Sequence, residues 1–328
     1  MIRSITRIDL INGGAVVLAV VLAAVAAVVI QPVRGPAPIP RTGAVVSAAE
    51  LYRDLPGGGR GVADASGRIA PVRDYRRIIS ADTVADAILL QLCEPERILS
   101  VTGLSADKAP WRHRYAGLAT IARLDDIEAL VAARPDLVIA ASLGDPRRLA
   151  RLEDAGLQVF DIGSMRGVVT YLAALRRLGA LLGRPDRAEI LARRYRRSLA
   201  AVAADVPAEG RKQALYLSAY GNKLFGGTRG TNYHDILTYA GLRDRAADHY
   251  EDWPSYSAEQ LLALDPELIV TRVGQAGPLC ELPGLARLRA CQRAGAIIEL
   301  ESFALDDPGP GVLESAEALR RAVYGDPR

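Results

Sequence analysis

From Arg76 onward, short β-rich apolar runs alternate with longer runs whose apolar residues recur at helical spacing. RRIIS (76–80) reads as a strand, and TVADAILLQLC (83–93) as a helix with Asp82 as its N-cap. RILSVT (97–102) is a strand, IEALVAA (127–133) a helix and DLVIAAS (136–142) a strand. PRRLARLEDAG (146–156) is a helix stopped by Gly156, and LQVFDIG (157–163) a strand. Strands alternating with helices predict parallel βαβ units with right-handed crossovers. Residues 165–204 break the rhythm: they carry no strand and read as one long helix or two, interrupted near Gly183 and Pro185. The alternation then returns with ALYLSAY (214–220), a Gly-rich loop, HDILTYAG (234–241), SAEQLLAL (257–264), ELIVTRV (267–273) and AIIELES (296–302). A helix near Leu313 to Val323 closes the chain.

One phrase occurs twice. DDIEALVAARPDLVIAAS (125–142) and YSAEQLLALDPELIVTRV (256–273) each place a Glu, a helical run, a Pro, an acid and a β-rich strand in the same order. Glu128 leads to Pro135 and Asp136, and Glu259 leads to Pro266 and Glu267. Two copies flanking a helical segment predict two α/β lobes rather than a solenoid, which needs more repeats.

Ahead of this pattern, residues 13–30 are apolar without a break, long enough to cross a bilayer as a helix. Arg3 and Arg7 precede the run and Arg34 and Arg41 follow it, so charge orients it weakly. The expectation is a transmembrane anchor over 1–33, with a secretory signal as the alternative. No Cys follows closely enough for a lipid-modified terminus. Residues 34–73 are rich in Pro and Gly and read as a tether, with one short helix around Ser47 to Asp54 and order beginning near Tyr75.

Composition changes little. A net charge of +3 gives no reason to expect nucleic acid as a partner. The cysteines have no metal-finger spacing: Cys280 and Cys291 are bridged in an oxidising compartment with Cys93 buried, or all three are buried thiols. The histidines His113, His234 and His249 are isolated, so no direct protein–metal site is expected. No nucleophile elbow or Cys–His pair points to catalysis. FGGTRGTNYHDIL lacks the GK[ST] of a phosphate loop, and Thr231 or Asn232 reads as a helix cap.

Several pieces, in order, resemble the periplasmic substrate-binding proteins of ABC importers for iron chelates and cobalamin, whose lobes are joined by a long rigid helix. RRIISADTVADAILLQL with PERILSVTG looks like the opening strand–helix–strand. LDDIEALVAARPDLVIAAS looks like the close of the first binding loop, and LRRLGALLGRPDRAEILARRYRRSLAAV like the connecting helix. ALYLSAYGNKLFGGTRGTNYHDILTYAGL, WPSYSAEQLLALDPELIV and PGPGVLESAEALRRAV match the second lobe and its terminal loop and helix. The resemblance implies two Rossmann-like lobes with central parallel sheets, at 74–164 and 207–328. It further implies a connecting helix over 165–206 and a ligand cleft between the lobes.

The resemblance also assigns roles. Glu128 and Glu259 would stand on the lips of the lobes and pair with the membrane permease. Both also have a local reading: Asp125-x-x-Glu128 forms a capping box, and Glu259 favours the dipole of a helix's first turn. The ligand would meet loops at the carboxyl ends of strands, as open α/β sheets generally arrange. Those loops offer Ser80, Asp82, Thr83, Trp111, Arg112 and Tyr115 from the first lobe. The second lobe offers Tyr220, Phe225, Arg229, Trp253, Tyr256 and Phe303. Aromatics beside Arg suit a bulky anionic chelate, by stacking and by bidentate pairing. The plainer reading is a set of solvated loops with aromatic anchors.

The implied function is a monomeric solute-binding component at the extracytoplasmic face of the cell envelope. It would deliver a ferric siderophore, haem or cobalamin to an ABC permease and its ATPase, with metal arriving only inside the chelate and no cofactor of its own. The alternatives are a membrane-anchored sensory or scaffold module, and a chelatase-type enzyme, since fold alone does not decide function.

Overall fold

The computed structural model describes residues 48–107, 111–121, 126–141 and 146–325. The candidate membrane segment at 13–30 lies outside them, and among the described residues no helix is long and apolar enough to cross a membrane. The tether expectation does not hold from residue 48 on. A short helix at Ala48–Leu51 leads into β1 (Tyr52–Asp54), β2 (Arg60–Ala63) and β3 (Ile69–Pro71), an antiparallel meander. Its second turn is built by Asp64, whose Oδ1 accepts from the Ser66 and Arg68 amides (both 2.9 Å), with Gly67 at φ +89°. The Ala65 amide donates to the Asp161 carbonyl at 2.8 Å, tying the meander to the first lobe. Val62 is wholly buried there. The signal was present in the sequence: RGVA and RIAP flank DASG, a hairpin pattern with turn residues between short apolar strands.

The first lobe holds β4 (Ile78–Ser80), β5 (Ile98–Thr102), β6 (Ala119–Ile121), β7 (Leu137–Ala140) and β8 (Val159–Asp161). They pair in parallel in the order β6-β5-β4-β7-β8. Helices α1 (Thr83–Leu92), α2 (Ile127–Ala132) and α3 (Pro146–Asp154) cross over between them. β4, β7 and β8 are buried along their whole length, as parallel strands covered on both faces must be.

The connection is two helices, not one. α4 (Val168–Leu181) packs on α1 and on the meander. α5 (Pro185–Val202) packs on the second lobe and, at 18 residues, spans roughly 27 Å. Gly183 (φ +69°) ends α4 and Pro185 opens α5, the C-terminal glycine and N-terminal proline that helix ends favour. A Cβ on Gly179 would lie 2.3 Å from that of Ala188, so the two helices approach this closely only because residue 179 has none.

The second lobe holds β9 (Gln213–Tyr220), β10 (Lys223–Gly226), helix α6 (Asn232–Tyr239), β11 (Arg243–Asp244) and β12 (Ser255–Tyr256). Helix α7 (Ala258–Leu264), β13 (Leu268–Arg272), β14 (Ile297–Leu300) and α8 (Gly311–Tyr324) complete it. β9, β13 and β14 are parallel, and the hairpin strand β10 and β12 add an antiparallel edge. Cys280 and Cys291 form a disulfide inside the β13–β14 crossover, and Cys93 is a buried free thiol. Of the two readings of the cysteines, the bridged one is found.

The repeated phrase has one geometry in both lobes. Glu128 and Glu259 are each the second residue of a short helix, after the N-caps Asp126 and Ser257. The first cap is thus Asp126, one position beyond the expected Asp125, which lies outside the described residues. Each helix ends at a residue with positive φ, Arg134 (48°) or Asp265 (38°), just before the proline. Asp136 then accepts from the Arg76 and Arg77 amides (2.7 and 3.0 Å) at the start of β4, and Glu267 from the Gln213 amide (2.7 Å) at the start of β9. These acids set the register of β7 on β4 and of β13 on β9.

Candidate functional site between the lobes

The carboxyl ends of the strands in both lobes face one junction. From the first lobe come Asp82, after β4, and the 3-10 turn Trp111–Tyr115, after β5. From the second come Asp306 and Asp307, after β14, and Glu314 of α8. Arg114 and Glu314 approach to 3.9 Å across the junction. Asp82 and Asp307 are close enough to repel; Asp82 caps α1, and Asp307 holds the loop that leads into α8. Asp82 accepts from the Val84 and Ala85 amides (2.8 and 3.2 Å), and Asp307 from those of Gly309 and Gly311 (2.7 and 3.2 Å). Burial raises both carboxyls above their ordinary range, Asp307 to about 6.

Beneath this surface lies a polar brace. Asp86, fully buried on α1, accepts from the Thr102 amide (3.1 Å) and hydroxyl (2.5 Å). It thereby fixes the loop that carries Arg112 to Tyr115, and burial raises its carboxyl to about 6. Tyr115 is itself buried; burial first, then the charges of Asp86 and Asp307, push its phenol up to about 12. On the other lobe, Arg272 at the end of β13 pairs with both oxygens of Asp306 (2.9 and 2.8 Å). It lies beside Tyr216 and Tyr233, which stack at 3.7 Å, and Tyr233 donates to Asp306 at 2.8 Å.

The residues singled out from sequence fall in different settings. Arg112 and Tyr220 are exposed, Tyr220 at 75%, while Thr83, Phe225 and Phe303 are half-buried. Ser80, Tyr115 and Tyr256 are buried: Ser80 donates to the Asp82 carbonyl (3.2 Å) and Tyr256 packs edge-on against Tyr250. Asp82 is occupied as a helix cap. Arg229 pairs with Glu251 of its own lobe at 3.2 Å, and the Trp253 ring lies under Arg166 of the connecting segment at 4.5 Å. Trp111 opens its 3-10 turn. Glu128 and Glu259 are both exposed, and a hydrogen bond from Ser257 holds the Glu259 carboxyl below its ordinary range. α2 and α7 run into their strands through a tight turn, so their first residues stand at the strands' carboxyl edge, on the same side as the junction.

Sequence reasoning missed Arg272 and Asp86, and offered Asp306 only as a loop residue, without its arginine partner. Arg272 stands in the second copy of the phrase where the first has Ala141, a departure visible by aligning the two. Asp86 sits in an apolar helical run, and a carboxylate in that position is legible only as an anomaly.

Two α/β lobes joined by helices, with caps and polar side chains converging between them, define a two-lobed substrate-binding fold. The chain belongs to the periplasmic binding protein family, whose profile matches residues 78–287. A vitamin B12-binding protein of Salmonella typhi is 30% identical over 158 residues, 48% of this chain and 58% of that protein. A cobalamin-binding protein of Halobacterium salinarum is 24% identical over 209 residues, 61% of this chain and 56% of that one. The chain thus spans little more than half the length of these curated relatives. A periplasmic haem-binding protein of Pseudomonas aeruginosa superposes with a TM-score of 0.63 at 25% identity, over 77% of this chain and 94% of that one. A possible iron-binding periplasmic protein of Staphylococcus epidermidis gives 0.67 at 20% identity, over 77% and 100%, which speaks for the fold. The family is one of substrate-binding proteins, and it places the folded lobes outside the cytoplasm. The disulfide agrees with an oxidising compartment.

Proposed function

We propose that this protein is the solute-binding component of an ABC importer. It captures a metal chelate between its lobes and presents it to a permease through Glu128 and Glu259. The observation that carries the reading is the duplicated lip: two exposed glutamates at the same position of equivalent helices, one per lobe, on the side where the strand ends converge. A local capping role does not require the two positions to match. The vitamin B12- and haem-binding relatives support a chelate as cargo. Arg112, Tyr220 and Phe303 are the first contacts in this reading: Arg112 and Tyr220 are exposed, Phe303 is half-buried, and all three follow the carboxyl ends of strands. Tyr220 and Phe303 offer rings to stack on, and Arg112 a charge for an acidic edge.

The test is calorimetric titration of the full chain with haem, a catecholate and a hydroxamate ferric siderophore, and cobalamin. One class is expected to bind saturably, with Arg112→Ala and Tyr220→Ala each weakening it by about tenfold, near 1.4 kcal/mol. Glu128→Arg with Glu259→Arg should leave that affinity unchanged and abolish capture by the permease. A chain that binds none of the panel sinks the chelate reading and leaves the scaffold module.

A further inference from the structure

The segment that joins the first lobe to α4 is pinned to the second lobe at two points. Arg166 donates to the Gly230 carbonyl (3.0 Å), pairs with Asp252 and covers the Trp253 ring. Two residues on, the Val168 amide, first in α4, donates to Asp235 Oδ2 at 2.8 Å. α4 is therefore capped in trans, by a carboxylate of α6 that is 67 residues away. The fit is close: a Cβ on Gly167 would stand 2.3 Å from that same oxygen and 3.3 Å from the Asn232 backbone. Thr170 completes the start of α4, its hydroxyl accepting from the Arg166 and Gly167 amides.

Among the described residues no salt bridge joins Asp235 to an arginine. Its ionisable neighbours are His234 and Tyr239 on its own helix and Tyr195 on α5. His234 is engaged through Nδ1 with Asp244 at 2.8 Å. Arg196 faces Tyr239, and Arg166 is committed to Asp252. Asp235 is thus half-buried among an amide, a histidine and two tyrosines, a costly setting for a full negative charge.

We propose that Asp235 makes the joint between the lobes tighten in acid: protonated, it holds α4 to the second lobe more firmly than it does when ionised. The protonated carboxyl still offers its carbonyl oxygen to the Val168 amide, while the desolvation of the charge is relieved. Burial raises this carboxyl to about 6, more than the Val168 amide and His234 lower it. In an undocked joint the carboxyl meets water and returns to an ordinary value near ~4. The docked joint therefore binds the proton more readily. Its stability is lowest above pH 6, rises as pH falls through about 6, and levels off below the undocked value. Hinge motion between the lobes would then be freer in neutral surroundings and restrained in acidic ones. No ligand enters this argument, so it stands or falls apart from the chelate reading.

Amide hydrogen exchange of the full chain at pH 7.5, 6.5, 5.5 and 5.0, corrected for intrinsic exchange, tests it. Protection at Val168 to Tyr171 should rise about tenfold from pH 7.5 to 5.0, the ratio linkage gives for values near 6 and 4. Asp235→Asn, which keeps the acceptor without the charge, should show constant protection near the acid level. Wild-type protection that is flat or falls overturns the proposal, as does an undiminished rise in Asp235→Asn. A rise abolished by His234→Gln instead assigns the switch to the imidazole and overturns it too. If Asp235→Asn does not fold, the carboxyl carbon resonance of Asp235 in the wild-type chain decides: a midpoint near 6 supports the proposal, and one near 4 refutes it.

Discussion

Asp136 and Glu267 occupy the same place in two lobes and hold their strands differently. Asp136 has the shorter side chain and grips two successive amides, Arg76 and Arg77; Glu267 reaches one, Gln213. The carbonyls at the ends of the preceding helices are satisfied by arginine in both lobes, but from different directions. Arg77, at the strand just gripped, donates to the Ala133 and Arg134 carbonyls (2.7 and 2.9 Å). In the second lobe Arg245 reaches the Leu264 carbonyl (2.9 Å) and Arg289 the Asp265 carbonyl (2.6 Å). The first lobe is thus self-contained around its phrase, whereas the second recruits the disulfide-bearing crossover. Arginine abundance, which says little as composition, is here partly the chemistry of helix ends.

Reducing the Cys280–Cys291 bridge should separate the lobes most. The bridge closes a short loop of sequence separation 11, so its loss should cost about 2–3 kcal/mol. Exchange protection should fall in the second lobe and not in the first; an equal fall in both would show that the lobes unfold as one unit. Next in size, Asp136→Ala should destabilise by about 2 kcal/mol and Glu267→Ala by about 1 kcal/mol, as two bonds to a charged group against one. The urea midpoint at constant slope measures this, and equal losses would mean that the second amide adds nothing. The smallest contrast lies in the turns. Arg134→Gly relieves a positive φ on an exposed residue and should stabilise by about 0.5–1 kcal/mol. Asp265→Gly relieves a similar φ but gives up the Arg289 contacts at 2.5 and 3.2 Å, and should show no gain. A gain of equal size at both positions would show that those contacts are idle.

The sequence was most legible where local chemistry repeats. Asp82 caps α1 as its place before the helical run predicts, and the Gly183–Pro185 break falls between α4 and α5. Thr231 stands at the cap position of α6. The meander resembles a tether in sequence because its strands are three or four residues long and its Gly and Pro content is that of a linker. Its order comes from Val62 entering the core and from Asp64 and Ala65 meeting Asp161, contacts made far along the chain. The site was legible only by region. Tyr220 is exposed at the end of β9 and Arg112 in the turn after β5, but Tyr115 and Tyr256 are buried, and Trp253 packs under Arg166.

Periodicity, caps and the doubled phrase are local properties, written into residues a few positions apart. They determined two α/β lobes, a helical connection broken at Gly183, and equivalent places for Glu128 and Glu259. Which side chains meet across the lobes is set by packing, because those partners lie tens of residues apart and no periodicity links them. Only the tertiary structure decided that Asp235 caps α4, that Arg166 covers Trp253, and that Arg114 faces Glu314.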